Sequence, residues 1–306
     1  MLGWSRNKIF LSLHFLKKFY SFYIMPELPE VETIKEGLKK VILGKKIISF
    51  EILDPKRIKG NLNKVKGKRI IGIKRRAKLL IIEFEKKINL VIRLKMTGQL
   101  IYKDKKTKIA GGHQSKELFL EVPNKFTRVI FNLSSQSQLF YNDLIRYGEV
   151  RVLTKEETEK ILKNEFGPEP FEDFSLDYFR SLVKKSKNSN IKKLLIDQKK
   201  IAGLGNIYSN EALFYAHINP QRKAGSLSEE EIKKLFKGIL KALKIGIKYE
   251  GASIRNYVNH KGEKGKMQNF FKIYGREGKK CSCGGIIKKI QLGGRGTYFC
   301  PKCQKK

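Results

Sequence analysis

Four cysteines stand close together near the end of this chain, as Cys281-Ser282-Cys283 and Cys300-Pro301-Lys302-Cys303. Two close pairs separated by 16 residues supply four thiolates for one tetrahedral zinc ion. The first pair is one residue shorter than the usual Cys-x-x-Cys, and a reduced cluster or a disulfide is the alternative. Between the pairs lies Gly293-Gly294-Arg295-Gly296-Thr297-Tyr298. Glycines around one arginine let backbone and guanidinium approach a phosphate closely, although a plain turn with a solvated arginine has the same composition. A second glycine cluster, Gly203-Leu204-Gly205-Asn206, opens a helical pattern. Free N–H groups at a helix N-terminus seat anions, and a tight interhelical turn is the equal alternative. The third candidate is Met25-Pro26-Glu27-Leu28-Pro29-Glu30. Once Met25 is removed, Pro26 carries a secondary α-amine, and such amines titrate near 7.7–8.0 against about 10.4 for lysine. A neutral amine attacks a sugar aldehyde carbon to give an iminium, and the adjacent Glu27 carboxylate can shuttle the protons. Residue types alone also allow a simple helix cap.

These groups need a frame to position them. The chain has 306 residues, enough for two domains. Hydrophobic residues at 41% and aromatics at 10% exclude wholesale disorder. Lys plus Arg number 66 against 29 for Asp plus Glu, a net charge of +37 that points to a polyanionic partner. An AT-rich genome accounts for lysine over arginine but not for the scarcity of acids. All four cysteines lie in the last 26 residues, which argues against a secreted disulfide scaffold and for a metal site in a reducing, cytoplasmic compartment. Residues 1–24 are aromatic-rich, with four basic residues and no acid. They lack the long apolar run of a spanning helix, so no membrane association is expected. A basic start before an apolar stretch faintly resembles a targeting peptide, but Lys17 and Lys18 interrupt it and no small-residue cleavage site follows. The segment reads as an extension ahead of a true start at Met25.

From Met25 the pattern runs helix, strands, helices, then the cysteine module. Val31, Ile34, Leu38 and Val41 recur at helical spacing between Pro29 and Gly44, which predicts a helix over 29–43. Short β-rich runs follow, KIISFEIL, LLIIEFE, INLVIRL, GQLIY, ELFLEV, TRVIFNL and QLFYN, the signature of an antiparallel sandwich or barrel. Residues 103–116 read as a flexible basic loop. At Gly167–Pro170 the character changes to helices near 175–186, 191–198, 206–216 and 228–249. Residues 251–269 read as a long loop, a length usually tied to function or mobility. No internal repeat stands out.

Seven segments then stand in order: MPELPEVETI, RRAK, LKMTG, GPEP, GLGNIYSNEAL, YGREG and an R-G-T-x-x-C-x-x-C tail. Together they resemble the bacterial formamidopyrimidine-DNA glycosylases, over essentially all of 25–304. Endonuclease VIII shares the architecture but differs from the third residue of its opening, so PELPEVET favours the oxidised-purine branch. The resemblance implies an α+β fold, with an N-terminal helix and antiparallel β-sandwich, a helix-two-turn-helix domain and a C-terminal zinc ribbon. The domains expected are 25–155, a linker 156–170, 171–270 with a lesion-recognition loop, and 271–306.

The resemblance also implies a bifunctional glycosylase and abasic-site lyase, acting as a nucleoid-associated monomer on damaged double-stranded DNA. Pro26 matches the nucleophile that forms a Schiff base, and Glu27 the proton donor. Lys78 matches a lysine assisting base release and β-elimination, and Arg295 the zinc-finger arginine assigned to phosphate binding and δ-elimination. Met96 matches the wedge that fills the gap left by the flipped base. Asn206, Lys192, His113, Arg146 and Tyr147 match DNA-binding positions. Cys281, Cys283, Cys300 and Cys303 match the ligands of one structural zinc. Three departures follow. The first cysteine pair is short, which touches zinc affinity. The family's P-R-R-F-G reads Leu144-Ile145-Arg146-Tyr147-Gly148, so the arginine that reads the opposite cytosine is Ile145. The extension leaves Pro26 without a free amine. The competing readings are a non-catalytic zinc-containing DNA-binding protein and an endonuclease VIII-like enzyme for oxidised pyrimidines.

Overall fold

The computed structural model describes residues 25–113, 121–252, 257–258 and 265–305. The extension 1–24 and most of the strand expected at 117–122 lie outside them. The first element, α1 (Leu28–Ile42), begins where Glu30 accepts the Glu27 N–H at 2.9 Å, a cap made by two carboxylate residues three apart. Its bounds fall one residue from the expected helix. Its apolar stripe of Val31, Ile34, Leu38 and Ile42 is fully buried in the sandwich core.

The strands are β1 (Ile47–Ile52), β2 (Ile58–Lys59), β3 (Ile70–Arg76), β4 (Leu79–Phe84), β5 (Ile88–Arg93), β6 (Gly98–Lys103) and β7 (Lys108–His113). They continue with β8 (Thr127–Leu133), β9 (Ser137–Asp143), β10 (Glu149–Thr154), β11 (Tyr257–Val258), β12 (Lys288–Leu292) and β13 (Arg295–Phe299). A six-stranded sheet runs β1-β8-β9-β6-β7-β11 and faces a five-stranded sheet, β2-β10-β5-β4-β3. The pairs are antiparallel except β10 with β2. Alternate residues of both sheets, Phe131, Tyr141, Leu100, Leu80, Ile82 and Ile92 among them, close on α1.

Three segments expected to be irregular contain regular elements. Within 103–116, Lys108–His113 pairs with β6 as β7. Its glycines hide the strand pattern, and one is required: a β-carbon on Gly111 would lie 2.6 Å from Ile34 of α1. Within the expected linker 156–170, α2 (Lys155–Glu165) is a helix capped reciprocally by Thr154 and Glu157. It docks Leu162 on Leu79, Ile81 and Val91 of the sandwich. The crossing between lobes is therefore the stretch after Glu165. Within 251–269, Tyr257 and Val258 form β11 against β7, with Tyr257 opposite His113.

The second lobe holds α3 (Leu176–Lys185), α4 (Ile191–Ile196), α5 (Asn206–Tyr215) and α6 (Glu229–Lys248), close to the helices expected. They share a core that includes Phe179, Leu195, Tyr208, Leu213, Leu235 and Leu243. Leu28 belongs to this second core, and its N–H donates to Gly203 O at 3.0 Å. The first turn of α1 is thus the seam between the lobes. Strands β12 and β13 form a separate hairpin carrying the cysteines.

Candidate active site and zinc centre

The seam places Glu27 against the start of α5. Its carboxylate accepts from the Ile207 N–H at 2.8 Å and the Tyr208 N–H at 3.4 Å, using donors that no helical carbonyl can take. Burial raises its pKa, against the opposing pull of Lys78 and these N–H groups. Lys78 approaches from the β3–β4 turn, and burial lowers its pKa while Glu27 works the other way. A β-carbon on Gly205, the N-cap of α5, would lie 2.5 Å from Glu27 Oε1 and 2.6 Å from Lys78 Nζ. Only glycine leaves room for both groups.

Glu30 is a site residue that sequence reading passed over. Besides the Glu27 N–H, it takes the Tyr208 hydroxyl and the Ala252 N–H, each at 2.7 Å. Burial, with the Glu27 charge beside it, pushes its pKa up to about 7. The Glu-x-x-Glu spacing at a helix start was its only local signal. Tyr274 is held similarly: Glu211 on α5 accepts the N–H groups of Lys272, Ile273 and Tyr274 at 2.9–3.0 Å.

Two adjoining cavities, of about 140 and 230 Å³, open between the lobes. The first is lined by Glu27, Lys78, Met96, Asn206, Tyr274 and Arg295, and the second by Pro26, Lys78 and Arg295. Met25 borders both. The opening hexapeptide, the RRAK lysine, the glycine-Asn turn and the ribbon arginine thus converge on one cleft.

Arg295 reaches it because the hairpin is docked on the helices. Asn206 Nδ2 donates to Gly296 O at 3.2 Å, and Asn210 Oδ1 accepts the Tyr298 N–H at 2.8 Å. Lys192 from α4 donates to Thr297 Oγ1 at 2.7 Å and touches Asn210 Oδ1 at 3.3 Å. Lys192 is 1% exposed, so its ammonium faces the back of the hairpin rather than a ligand in the cleft. At this position, where a DNA contact is expected, the structure shows engagement with the hairpin. With no carboxylate within ion-pair distance among the described residues, burial lowers its pKa to about 7. Asn206 lines the cleft, and its Oδ1, an acceptor, is buried without a hydrogen-bond partner among the described residues.

Behind the hairpin the four sulfurs converge to within 4.8 Å of one another. Cys281 and Cys303 are 3.9 Å apart and Cys283 and Cys300 3.4 Å. Tetrahedral zinc with bonds of about 2.3 Å spaces its sulfurs by about 3.8 Å, so the set fits one structural zinc. The short first pair closes because Gly284 takes φ +80° and Gly285 packs where a β-carbon would lie 2.7 Å from Cys300 Sγ.

On the opposite wall, Met96 is half-buried on the turn before β6. Ile145 donates its N–H to Thr97 Oγ1 at 3.1 Å, beside that turn. Arg146 takes φ +58° and turns its guanidinium to Asp54, 3.6 Å away, while Tyr147 is exposed. His113 ends β7, and its side chain lies outside the described residues.

The chain matches three family models in order. Residues 25–150 match the formamidopyrimidine-DNA glycosylase N-terminal domain, 166–258 its H2TH domain, and 278–306 the zinc finger found in FPG and IleRS. The formamidopyrimidine-DNA glycosylase of Carboxydothermus hydrogenoformans is 40% identical over 288 residues, spanning 92% of this chain and all of the relative. That of Streptococcus mutans is 38% identical over 290 residues, with the same coverage. Among solved structures, Lactococcus lactis Fpg with DNA containing an abasic site is similar at TM-score 0.80 and 37% identity, over 92% of this chain and 100% of that one. A variant of that enzyme with Fapy-dG containing DNA reaches 0.81 at the same identity and coverage. By sequence over its whole length from Met25, by fold and by the residues gathered in its cleft, this chain belongs to the formamidopyrimidine-DNA glycosylase family.

Proposed function

We propose that the protein is a base-excision repair enzyme that removes oxidised purines, such as 8-oxoguanine and formamidopyrimidines, from double-stranded DNA and then cuts the strand at the abasic site. The observation that carries this reading is the meeting of Pro26, Glu27, Lys78, Asn206 and Arg295 at one interlobe cleft. The names of the relatives and the damaged-DNA complexes of similar structures support it. Chemistry on a base requires it to be unstacked from the duplex. Met96 fills the vacated space, with Ile145 and Tyr147 beside it. The Pro26 nitrogen bonds to C1′ as the glycosidic bond breaks and its electron pair leaves with the base. Nitrogen then loses its proton and the sugar ring opens to the Schiff base. Glu27, whose pKa burial raises, supplies the proton to the sugar. Lys78, whose pKa burial lowers, accepts the proton lost in β-elimination. Asn206 and Arg295 hold the phosphates that become leaving groups, and Arg295 serves δ-elimination. His113 and Arg146 add backbone contacts along the duplex. One chain supplies every one of these residues, which supports action as a monomer.

The reading demands a free amine. In the 306-residue chain the Pro26 nitrogen is an amide to Met25, which favours the non-catalytic DNA-binding reading for that form. Borohydride trapping on a duplex with 8-oxoguanine opposite cytosine separates the two. Protein started at Met25 and processed to Pro26 should form a covalent adduct at Pro26, and the unprocessed chain should bind without trapping. Failure of intact, zinc-loaded processed protein to trap would establish the binding protein instead. Equal trapping by both forms would sink the amine argument.

A further inference from the structure

Lys78 is carried on a two-residue turn, Ala77-Lys78, between the paired ends Arg76 and Leu79 of β3 and β4. Ala77 takes φ +54°, a left-handed conformation usually left to glycine, and it is completely buried. A turn of this kind holds its shape only where its surroundings over-determine it. Both polar groups of Ala77 are in fact gripped. Its N–H donates to Glu169 Oε2, and its carbonyl accepts from Arg75 Nη1 at 3.3 Å. Arg75 is itself ion-paired to Glu169 Oε1 and, at 2.7 Å, to Glu32 of α1.

Glu169 comes from the interlobe crossing, 92 residues away in sequence, and is 0% exposed. The crossing is anchored to the helical lobe: the Gly167 N–H donates to Gln198 O at 2.9 Å and the Ala202 N–H to Pro168 O at 3.0 Å. It is anchored to the sandwich as well, where Arg76 reaches Asp173 at 3.0 Å and Gly167 O at 3.1 Å. Gln198 Oε1 also accepts the Gly203 N–H at 3.0 Å, in the turn that leads to Gly205. A single carboxylate therefore ties the peptide before Lys78 to the segment that leads to the seat of Glu27.

We propose that Glu169 is a positioning residue: from the interlobe crossing it fixes the strained Ala77 turn and so aims Lys78 at the Glu27 end of the cleft. The proposal rests on the reading of Lys78 as a catalytic group. Glu169 touches no substrate and needs no charge change to act. Its effect is on the rate of chemistry and not on capture of DNA, because neither it nor Ala77 lines the cleft.

The test is a double-mutant cycle on the processed, zinc-loaded protein, read as single-turnover base release on a duplex with 8-oxoguanine. Glu169→Leu fills the volume without an acceptor, and Glu169→Gln keeps an acceptor for the Ala77 N–H. Glu169→Leu should slow base release by about 10–100-fold, the scale of a misplacement of about 1 Å, with the DNA Kd within threefold. Glu169→Gln should restore most of the rate. In a Lys78→Ala background Glu169→Leu should slow it no further. Deuterium uptake at the Ala77 amide should rise in the Leu variant, a readout independent of activity. Full additivity with Lys78→Ala, or an unchanged Ala77 amide, overturns the proposal. A parental rate in Lys78→Ala alone would instead remove the Lys78 reading, and the proposal with it.

Discussion

Gly205→Ala probes the geometry of the cleft with a single methyl group. Gly205 lies at φ −135° and ψ −154°, extended backbone that alanine adopts without strain. The added carbon would stand 2.5 Å from Glu27 Oε1 and 2.6 Å from Lys78 Nζ, where ordinary contact begins near 3.4 Å. One or both groups must retreat by about 1 Å. Glu27 is 3% exposed and tied to two N–H groups, so its retreat breaks bonds that set its orientation. Displacement on this scale is worth roughly 100-fold in rate, or about 2.7 kcal/mol of barrier. The cap itself loses at most about 1 kcal/mol, which in a chain of this size lowers the melting temperature by a few degrees. The assay is single-turnover release of 8-oxoguanine beside a melting curve and a DNA titration. A rate within threefold of the parent, with melting and affinity unchanged, would refute the claim that the Glu27–Lys78 spacing governs the chemistry.

Three further outcomes are expected. Lys192 titrates near 7 when folded and near the ordinary lysine value of 10.5 when unfolded. Between those values the folded chain holds fewer protons, so this residue's stability rises with pH and is lost as pH falls toward 7. From pH 7 to 9 the parent should gain on Lys192→Met by up to about 1.4 kcal/mol per pH unit in chemical denaturation, and a pH-independent difference would contradict it. Ile145 offers no side-chain donor and Arg146 is turned to Asp54, so excision opposite cytosine and opposite adenine should differ little. Ile145→Arg should raise that contrast by about 1–3 kcal/mol, and a strong cytosine preference in the parent with no gain in the variant would show the reasoning wrong. Removing zinc by chelation, or Cys283→Ser, should loosen the hairpin that carries Arg295 while sparing the sandwich core, which shares no residue with it. Base release should vanish and DNA affinity fall at least tenfold by anisotropy, whereas full activity in metal-free protein would disconnect the ribbon from the cleft.

Some of this protein is written in short stretches of sequence. The α1 helix follows from apolar spacing behind a proline, and α6 follows from the same periodicity behind a serine cap. The zinc set follows from cysteine spacing, since ligand type and separation are local properties. The α2 helix was legible too: Thr154 and Glu157 are a capping box, passed over because its apolar face is little more than Ile161 and Leu162. Other features had no local signature. β7 lacks apolar alternation because Gly111 makes room for Ile34 and Gly112 for the backbone of β6, so only its packed neighbours reveal it as a strand. Lys192 has the composition of a surface contact, yet the ribbon covers it from 105 residues away. Glu30 meets Tyr208 across 178 residues and Glu169 meets Ala77 across 92. Whether a carboxylate is a solvated surface charge or a buried acceptor depends on which distant donors fold onto it. The ordered motifs therefore named groups that line the cleft, whereas their distances, environments and supports were decided by the closure of two lobes around the first turn of α1.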